Sequence, residues 1–409
     1  MFFQPVDVLP CEHAGGLPEA LLADAAHTLR GWPEYRATPL LGMPGLARAL
    51  GLGQVWVKDE SARFGKGGVK ALGAPYALQR LLRTHGGGED WCAVAATDGN
   101  HGLALAWAAR RLGGRARIFV GQGVDALRVQ RIRDEGAEVV AVAGTYDDAV
   151  HAAAHAAGAP GCLLVSDTDD TPGDAVVERI MAGYALLGSE LASQLDDRLA
   201  IIDPALEHAV SVRPELVEGR CRDWASTGSA RTVGSDFKGR VNNNPLAGPG
   251  SGEGPTHFFL QCGVGGVAAG VLSGLFAAST YRPRVITVEP ERAACVRDSL
   301  CTGRLVSVPG GLETRMVGLS CGRPSASAFA LLRRWASAAL TVPEATAAQL
   351  QAQLSAGAFG DAPLATGDTG VAGLAGLWQA ASDRQLREAL GLDACSRVLA
   401  INSEGPLCA

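Results

Sequence analysis

The chain has 409 residues, of which 47% are apolar, 19% charged and 5% aromatic, and its formal net charge at pH 7 is -6. That length predicts two or three domains with ample material for buried cores, and the composition excludes a disulfide-stapled miniprotein and a chain disordered throughout. No sustained Lys/Arg tract is present to neutralise a phosphodiester backbone, so nucleic acid is not expected as a partner.

Ten Cys residues run from Cys11 to Cys408 without a C-x-x-C pair, and the eight His neither form H-E-x-x-H nor pair with Cys at zinc spacing. No metal site is expected from that pattern. The opening Met1-Phe2-Phe3-Gln4-Pro5 lacks a basic stretch followed by an apolar run, so the expectation is a cytoplasmic protein with reduced thiols. Of the 36 basic residues only four are Lys: Lys58, Lys66, Lys70 and Lys238. Genomic base usage can produce such a bias, but only Lys carries an amine able to lose its proton and condense with a carbonyl. The cluster from Lys58 to Lys70 is therefore the first place to look for chemistry.

In chain order, the first predicted strand is 54–58. It ends in Val57-Lys58-Asp59-Glu60-Ser61, a glycine-rich bend follows through Gly65-Lys66-Gly67-Gly68, and Lys70 opens a segment of Ala, Leu and Tyr76 that reads as a buried helix. Desolvation there would lower an amine's pKa and leave it nucleophilic near neutrality, the setting of a Schiff-base lysine. From position alone, a surface lysine with a snorkelling stem is the commoner case.

From Trp91 onward short β-rich runs alternate with helical ones: strand 91–97 and helix 102–112, strand 116–121 and helix 124–135, strand 138–144 and helix 146–157, then strand 162–166. Such alternation implies a parallel sheet with right-handed crossovers. The turn Thr97-Asp98-Gly99-Asn100-His101-Gly102 sits where the first of these strands gives way to its helix, the place where ligands collect in open α/β sheets. An anion or carboxylate could dock there, Asp98 could accept a proton, Asn100 could both donate and accept, and His101 could cap the helix. Asp-Gly-Asn is equally a good turn.

The periodic pattern fades between Asp196 and Glu253. Residues 212–254, rich in Gly, Ser, Arg and Pro, cannot bury enough apolar surface to offset ordering and read as a mobile surface insertion. Strands resume at 256–261, 284–289 and 396–402, so the unit around 91–166 is inserted into a second one. The stretch 258–280 carries no charged residue and is nominally long enough to span a bilayer, but Gln261-Cys262-Gly263-Val264-Gly265-Gly266 inside it suits a strand, a glycine turn and a buried helix. No membrane is expected as a partner. The glycines there would let backbone N–H groups approach a phosphate. Gly263-x-Gly265-x-x-Ala268 also fits a dinucleotide fingerprint, with Glu289 where a ribose-binding acid would sit, so a nicotinamide-dependent protein stays an alternative.

Arg36-Ala37-Thr38-Pro39-Leu40, Lys58-Asp59-Glu60-Ser61, Lys70, Gly99-Asn100-His101-Gly102 and the Gly263 to Gly266 loop together resemble fold-type II pyridoxal phosphate enzymes, the tryptophan synthase β family. Within it the chain is most similar to the diaminopropionate ammonia-lyases. That likeness is carried by Arg63-Phe64-Gly65, Thr97-Asp98, Tyr146-Asp147-Asp148, Val288-Glu289-Pro290, Gly318-Leu319-Ser320-Cys321-Gly322, Gly367-Asp368-Thr369-Gly370 and Ser403-Glu404-Gly405. The departures are Val69 and Asn402, where the family has Phe and Ser, a missing Trp after Asp167-Thr168, and an earlier chain end.

The resemblance implies an α/β fold of two open, twisted, mainly parallel sheets flanked by helices. The large cofactor domain would be 1–88 with 168–409, and the small domain 89–167. It implies pyridoxal 5'-phosphate held by Lys70, Asn100, the backbone of Gly263, Val264, Gly265 and Gly266, and Ser403 at the ring nitrogen beside Glu404. Lys70 and Asp98 become the two bases for an amino-acid substrate of either hand, while Asp167 and Thr97 become substrate contacts. The implied activity is elimination from D- and L-2,3-diaminopropionate to pyruvate and ammonia, in a homodimer. A serine/threonine dehydratase of the same fold, or a relative that has lost activity, remains an alternative.

Overall fold

The computed structural model describes residues 4–5, 16–85, 90–97, 99–144, 146–210 and 254–407, with 4–5, 85, 147 and 200–210 described as backbone only. Asp98 lies outside the described residues, as does the expected insertion at 212–254 apart from Gly254. The described strands are β1 (Gln4–Pro5), β2 (Leu40–Gly42), β3 (Gln54–Asp59), β4 (Cys92–Ala96), β5 (Arg115–Val120), β6 (Glu138–Ala141), β7 (Cys162–Leu164), β8 (His257–Gln261), β9 (Arg284–Pro290), β10 (Ala336–Val342) and β11 (Arg397–Asn402).

They form two sheets. The smaller runs β6-β5-β4-β7 and is parallel throughout. The larger runs β1-β10-β9-β8-β11-β3-β2, parallel inside, with antiparallel pairs only where β1 meets β10 and β2 meets β3. The strands expected at 91–97, 116–121, 138–144 and 162–166 are those of the smaller sheet. Those expected at 54–58, 256–261, 284–289 and 396–402 lie side by side in the larger one. In β11 the run Val398 to Ile401 is buried on both faces, as central parallel strands require. The fold is thus the expected pair of mainly parallel sheets with flanking helices.

Two differences have physical causes. β10, Ala-Ser-Ala-Ala-Leu-Thr-Val, was not expected as a strand; its alanines favour helix locally, and pairing along β9 decides otherwise. The helix Ala175–Val210 continues past Asp196, where the periodic pattern fades. Up to Leu195 it is held by burial against the helix Gly266–Ala278. Glycines let these two backbones meet: a Cβ on Gly188 would fall 2.1 Å from the Val271 carbonyl oxygen, and one on Gly274 would fall 1.9 Å from that of Ala185. The charge-free stretch 258–280 is therefore strand, turn and buried helix, and among the described residues no helix is long and apolar enough to cross a membrane.

One of the hydrophobic clusters reaches both sheets, joining Leu72, Leu105 and Ile118 on the smaller side to Leu187, Phe258 and Ile401 on the larger, while a second covers the other face of the larger sheet through Val57, Phe259 and Val288. The helices Lys70–His85 and Asn100–Arg111 therefore share one apolar foundation, and their N-termini are fixed relative to each other.

Candidate active site

Strands β4, β7, β8 and β11 end at one cavity of about 890 Å³, part of it open to solvent. Its wall takes Thr97 after β4, Asp167 after β7, Gly263 to Gly266 after β8, and Ser403 with Glu404 after β11. A crevice at the carboxyl ends of parallel strands is where ligands bind in such sheets, and this volume suits a small molecule.

Lys70 reaches the cavity through a local zipper. Gly68 bridges Glu404, the Val69 N–H donates to the Ser403 carbonyl at 2.9 Å, and the Gly405 N–H donates to that of Gly67 at 3.1 Å. Only a glycine fits at 68, where a Cβ would lie 2.9 Å from the Ser403 oxygen. This contact seats the first turn of the helix Lys70–His85 against the chain's far end. From there Lys70 Nζ lies 3.0 Å from Asp167 Oδ2 and 5.7 Å from the centre of the Tyr184 ring.

The electrostatics differ from the sequence expectation. Burial disfavours a charged amine, yet Tyr184 and the Asp167 carboxylate outweigh it, so the Lys70 pKa is raised rather than lowered. Burial likewise works against a charged Asp167, but Lys70 and His101 hold its carboxyl down at about 2. Burial pushes the Tyr184 hydroxyl up to about 12. At neutral pH the floor of the cavity is a salt-bridged amine and carboxylate.

The turn 97–102 lies opposite. Thr97 Oγ1 accepts the N–H groups of Gly99 (3.0 Å) and Gly102 (3.2 Å), so this hydroxyl shapes the turn as well as lining the cavity. Asn100 Nδ2 donates to Glu404 Oε2, and the Thr369 N–H donates to Glu404 Oε1 at 3.0 Å. His101 does not cap its helix as expected. Its Nε2 lies 2.8 Å from the Val165 carbonyl oxygen, and its Nδ1 faces Asp167 at 3.8 Å.

The glycine loop forms the remaining wall. Gly265 has φ 93°, a conformation that favours glycine, and a Cβ on Gly263 would meet Cys321 Sγ at 2.9 Å. The loop leads into the helix Gly266–Ala278, whose first-turn N–H groups have no intrahelical acceptor and suit an anion. Glu289 cannot serve the ribose role that the dinucleotide alternative assigns it. It is fully buried, and its carboxylate accepts the N–H groups of Val296 (2.8 Å) and Arg297 (2.6 Å). Burial, only partly offset by those N–H groups, pushes its carboxyl up to about 8.

Other features were not singled out from sequence. Tyr184 closes beneath Lys70 because residue 73 is glycine: a Cβ there would sit 2.5 Å from the tyrosine ring. Arg128 lines the cavity from the smaller sheet's side, beside Tyr146 of the Tyr146-Asp147-Asp148 motif already marked in the sequence. The Lys58 to Ser61 motif also proves to do something other than touch the cavity. Lys58 pairs with Glu190 at 2.7 Å, while Arg63 bonds both Glu60 and Glu190, all four being buried.

Comparison with known proteins bears on the family and the fold. A family model described as pyridoxal-phosphate dependent enzyme matches residues 32–206 and 249–404. A diaminopropionate ammonia-lyase of Salmonella typhimurium is 30% identical over 400 residues, covering 91% of this chain and 86% of the relative. A probable D-serine dehydratase of Rhizobium leguminosarum is 26% identical, covering 79% and 69%. Among solved structures, the diaminopropionate ammonia-lyase of Escherichia coli in complex with an aminoacrylate-PLP azomethine reaction intermediate superimposes with a TM-score of 0.79 at 28% identity, covering 99% of this chain and 93% of that one.

Proposed function

The chain belongs to the pyridoxal-phosphate dependent enzymes, and on that premise we propose that it eliminates ammonia from D- and L-2,3-diaminopropionate, giving pyruvate and ammonia. One observation carries the choice of substrate: an ionised carboxylate, Asp167, stands 3.0 Å from the candidate cofactor lysine. A substrate with a second ammonium gives that charge a partner, whereas serine or threonine offers a neutral hydroxyl. The dehydratase reading is disfavoured on the same ground.

The residues fit the cofactor. Lys70 provides the attaching amine, the Gly263, Val264, Gly265 and Gly266 backbone at a helix N-terminus provides an anion seat, and a Cβ at Gly263 or Gly265 would come within 2.9 Å of a neighbouring side-chain atom. With both oxygens of Glu404 engaged, the Ser403 hydroxyl is the group left to face the ring nitrogen. Asn100 keeps a second amide hydrogen to donate to the ring oxygen. When bound, the cofactor supplies an electron sink that makes the substrate's Cα–H acidic.

The chain's own residues do the rest. Lys70 Nζ takes the Cα proton of the L-isomer, and Asp98 takes that of the D-isomer from the opposite face. Asp167 Oδ2 holds the distal ammonium, and Thr97 fixes the turn that presents Asn100. The Lys70–Asp167 ion pair marks this carboxylate as a seat for a positive charge, the place that an ammonium-bearing substrate would take.

The two sheets support reading 1–88 with 168–409 as a large domain and 89–167 as a small one. A cytoplasmic homodimer completes the proposal, and sedimentation of the purified protein at twice the chain mass is its expected result. Comparing pyruvate release from diaminopropionate with that from serine and threonine tests the reaction; faster turnover of either hydroxyamino acid would move the assignment to the dehydratase.

A further inference from the structure

Tyr184 is fully buried, and its hydroxyl has no hydrogen-bond partner among the described residues. Packing accounts for the ring alone. It fills a slot between two helices that glycines open: a Cβ on Gly73 would fall 2.5 Å from the ring, and one on Gly270 would fall 2.8 Å from Tyr184 Cβ. Phenylalanine would fill that slot equally well, without burying a hydroxyl that costs free energy until a partner completes it. The oxygen atom calls for a reason of its own.

Its place supplies one. A Cβ on Gly73 would also lie 2.8 Å from the hydroxyl oxygen. Residues three apart share a helix face, so the hydroxyl lies along the face of the helix Lys70–His85 that carries Lys70. Lys70 Nζ stands 5.7 Å from the centre of the tyrosine ring and 3.0 Å from Asp167 Oδ2. The two side chains act on each other. The Lys70 charge works against the burial that pushes the hydroxyl up to about 12, and Tyr184 favours the charged form of Lys70. At neutral pH the hydroxyl is therefore intact, with lone pairs able to accept.

We propose that Tyr184 is a positioning residue for Lys70: its hydroxyl accepts an N–H of the freed amine and so directs the amine's lone pair at the Cα–H of the L-isomer. A neutral amine has two N–H groups and one lone pair. With Asp167 and Tyr184 taking one N–H each, only the lone pair is left for the proton, and where a distal ammonium occupies Asp167 the hydroxyl is the acceptor that remains. This rests on the reading of Lys70 as the base for the L-isomer and deepens it. Asp98 serves the D-isomer in that reading, so the hydroxyl bears on one hand of the substrate.

The test compares purified holoenzyme of the wild type with Tyr184→Phe. Without ligand the variant should melt no lower than the wild type and keep its cofactor absorbance, since only an unpaired hydroxyl has been removed. Its kcat for L-2,3-diaminopropionate should fall roughly 10- to 100-fold with KM changed less than about threefold, while kcat for the D-isomer changes less than about threefold. L-alanine, which has no group to eliminate, reports the proton step by itself: exchange of its Cα hydrogen for solvent deuterium, followed by NMR, should slow by at least about threefold in the variant.

Equal losses on the two isomers, or an unchanged rate on the L-isomer, would overturn the proposal. So would a lowered midpoint or lost cofactor absorbance, which mark a structural role, and so would L-alanine exchange that is absent from the wild type or equal in the two proteins. If the wild type releases no pyruvate from diaminopropionate while L-alanine exchange depends on Tyr184, the reaction assignment falls and the positioning role stands.

Discussion

In the proposed function Asp167 joins Lys70, the candidate cofactor lysine, to the choice of substrate. With its carboxyl held at about 2, below the ordinary 3.8, it stays ionised across the working range. The stabilisation from its ion pair is present above pH 4 and is lost only as the pH falls through about 2. Asp167→Asn should therefore raise the KM for diaminopropionate roughly 10- to 100-fold, the scale of a hydrogen bond to a charged group, and leave serine binding unaffected. Above pH 4.5 the acid limb of the pyruvate-release profile should be the same in wild type and variant, as initial rates at saturating substrate would record. That Lys70, Asn100 and the glycine loop line one cavity was legible in the sequence, because each interrupts a regular pattern with a residue type suited to one task. Tyr184 and Arg128 were not, since each sits in an ordinary helical stretch and gains its meaning only from what the fold places beside it.

At the scale of elements, the buried charges of Lys58, Glu60, Arg63 and Glu190 tie the end of β3 to the helix Ala175–Val210. Thr38 joins them through its carbonyl to Lys58 at 2.7 Å and its hydroxyl to Glu60, and Tyr35 donates to Glu190 at 3.1 Å. Removing one partner strands the others without water, so Glu190→Ala should cost about 3–5 kcal/mol of stability, read from urea unfolding. The motifs at 36–40 and 58–61 were visible in sequence as part of a resemblance, but their physical role was not. The missing half was also within reach: Glu190, Gln194 and Arg198 fall four residues apart, a polar stripe on a mostly apolar helix. The packing of that helix on Gly266–Ala278 makes a second test. Gly274→Ala places a methyl against backbone that cannot retreat, and should lower stability by at least about 1–3 kcal/mol in the same assay.

For the whole molecule, the hydrophobic cluster that reaches both sheets ties their stability together, and a group buried beside it is felt globally. Glu289 shows this in its pH dependence. Its carboxyl is pushed up to about 8 from an ordinary 4.5, so the folded chain holds a proton that the unfolded chain releases. That contribution to stability is full below pH 4.5 and lost as the pH rises to about 8. The thermal midpoint of Glu289→Gln should accordingly fall less than the wild type's between pH 5 and 8.5. At this scale the sequence was most informative where strand and helix alternate locally, as in the smaller sheet. It was least so for β2 and β10, whose strand character comes from pairing with partners distant in the chain or from sheet position.

The proposed function is that of a two-base ammonia-lyase built around Lys70. It is tested most directly by measuring pyruvate release from D- and L-2,3-diaminopropionate separately, with the wild type, Lys70→Ala and Asp98→Asn. A two-base enzyme turns over both isomers, with activity abolished by Lys70→Ala and lost mainly for the D-isomer in Asp98→Asn. A cofactor-loaded wild type that releases no pyruvate from either isomer would contradict it.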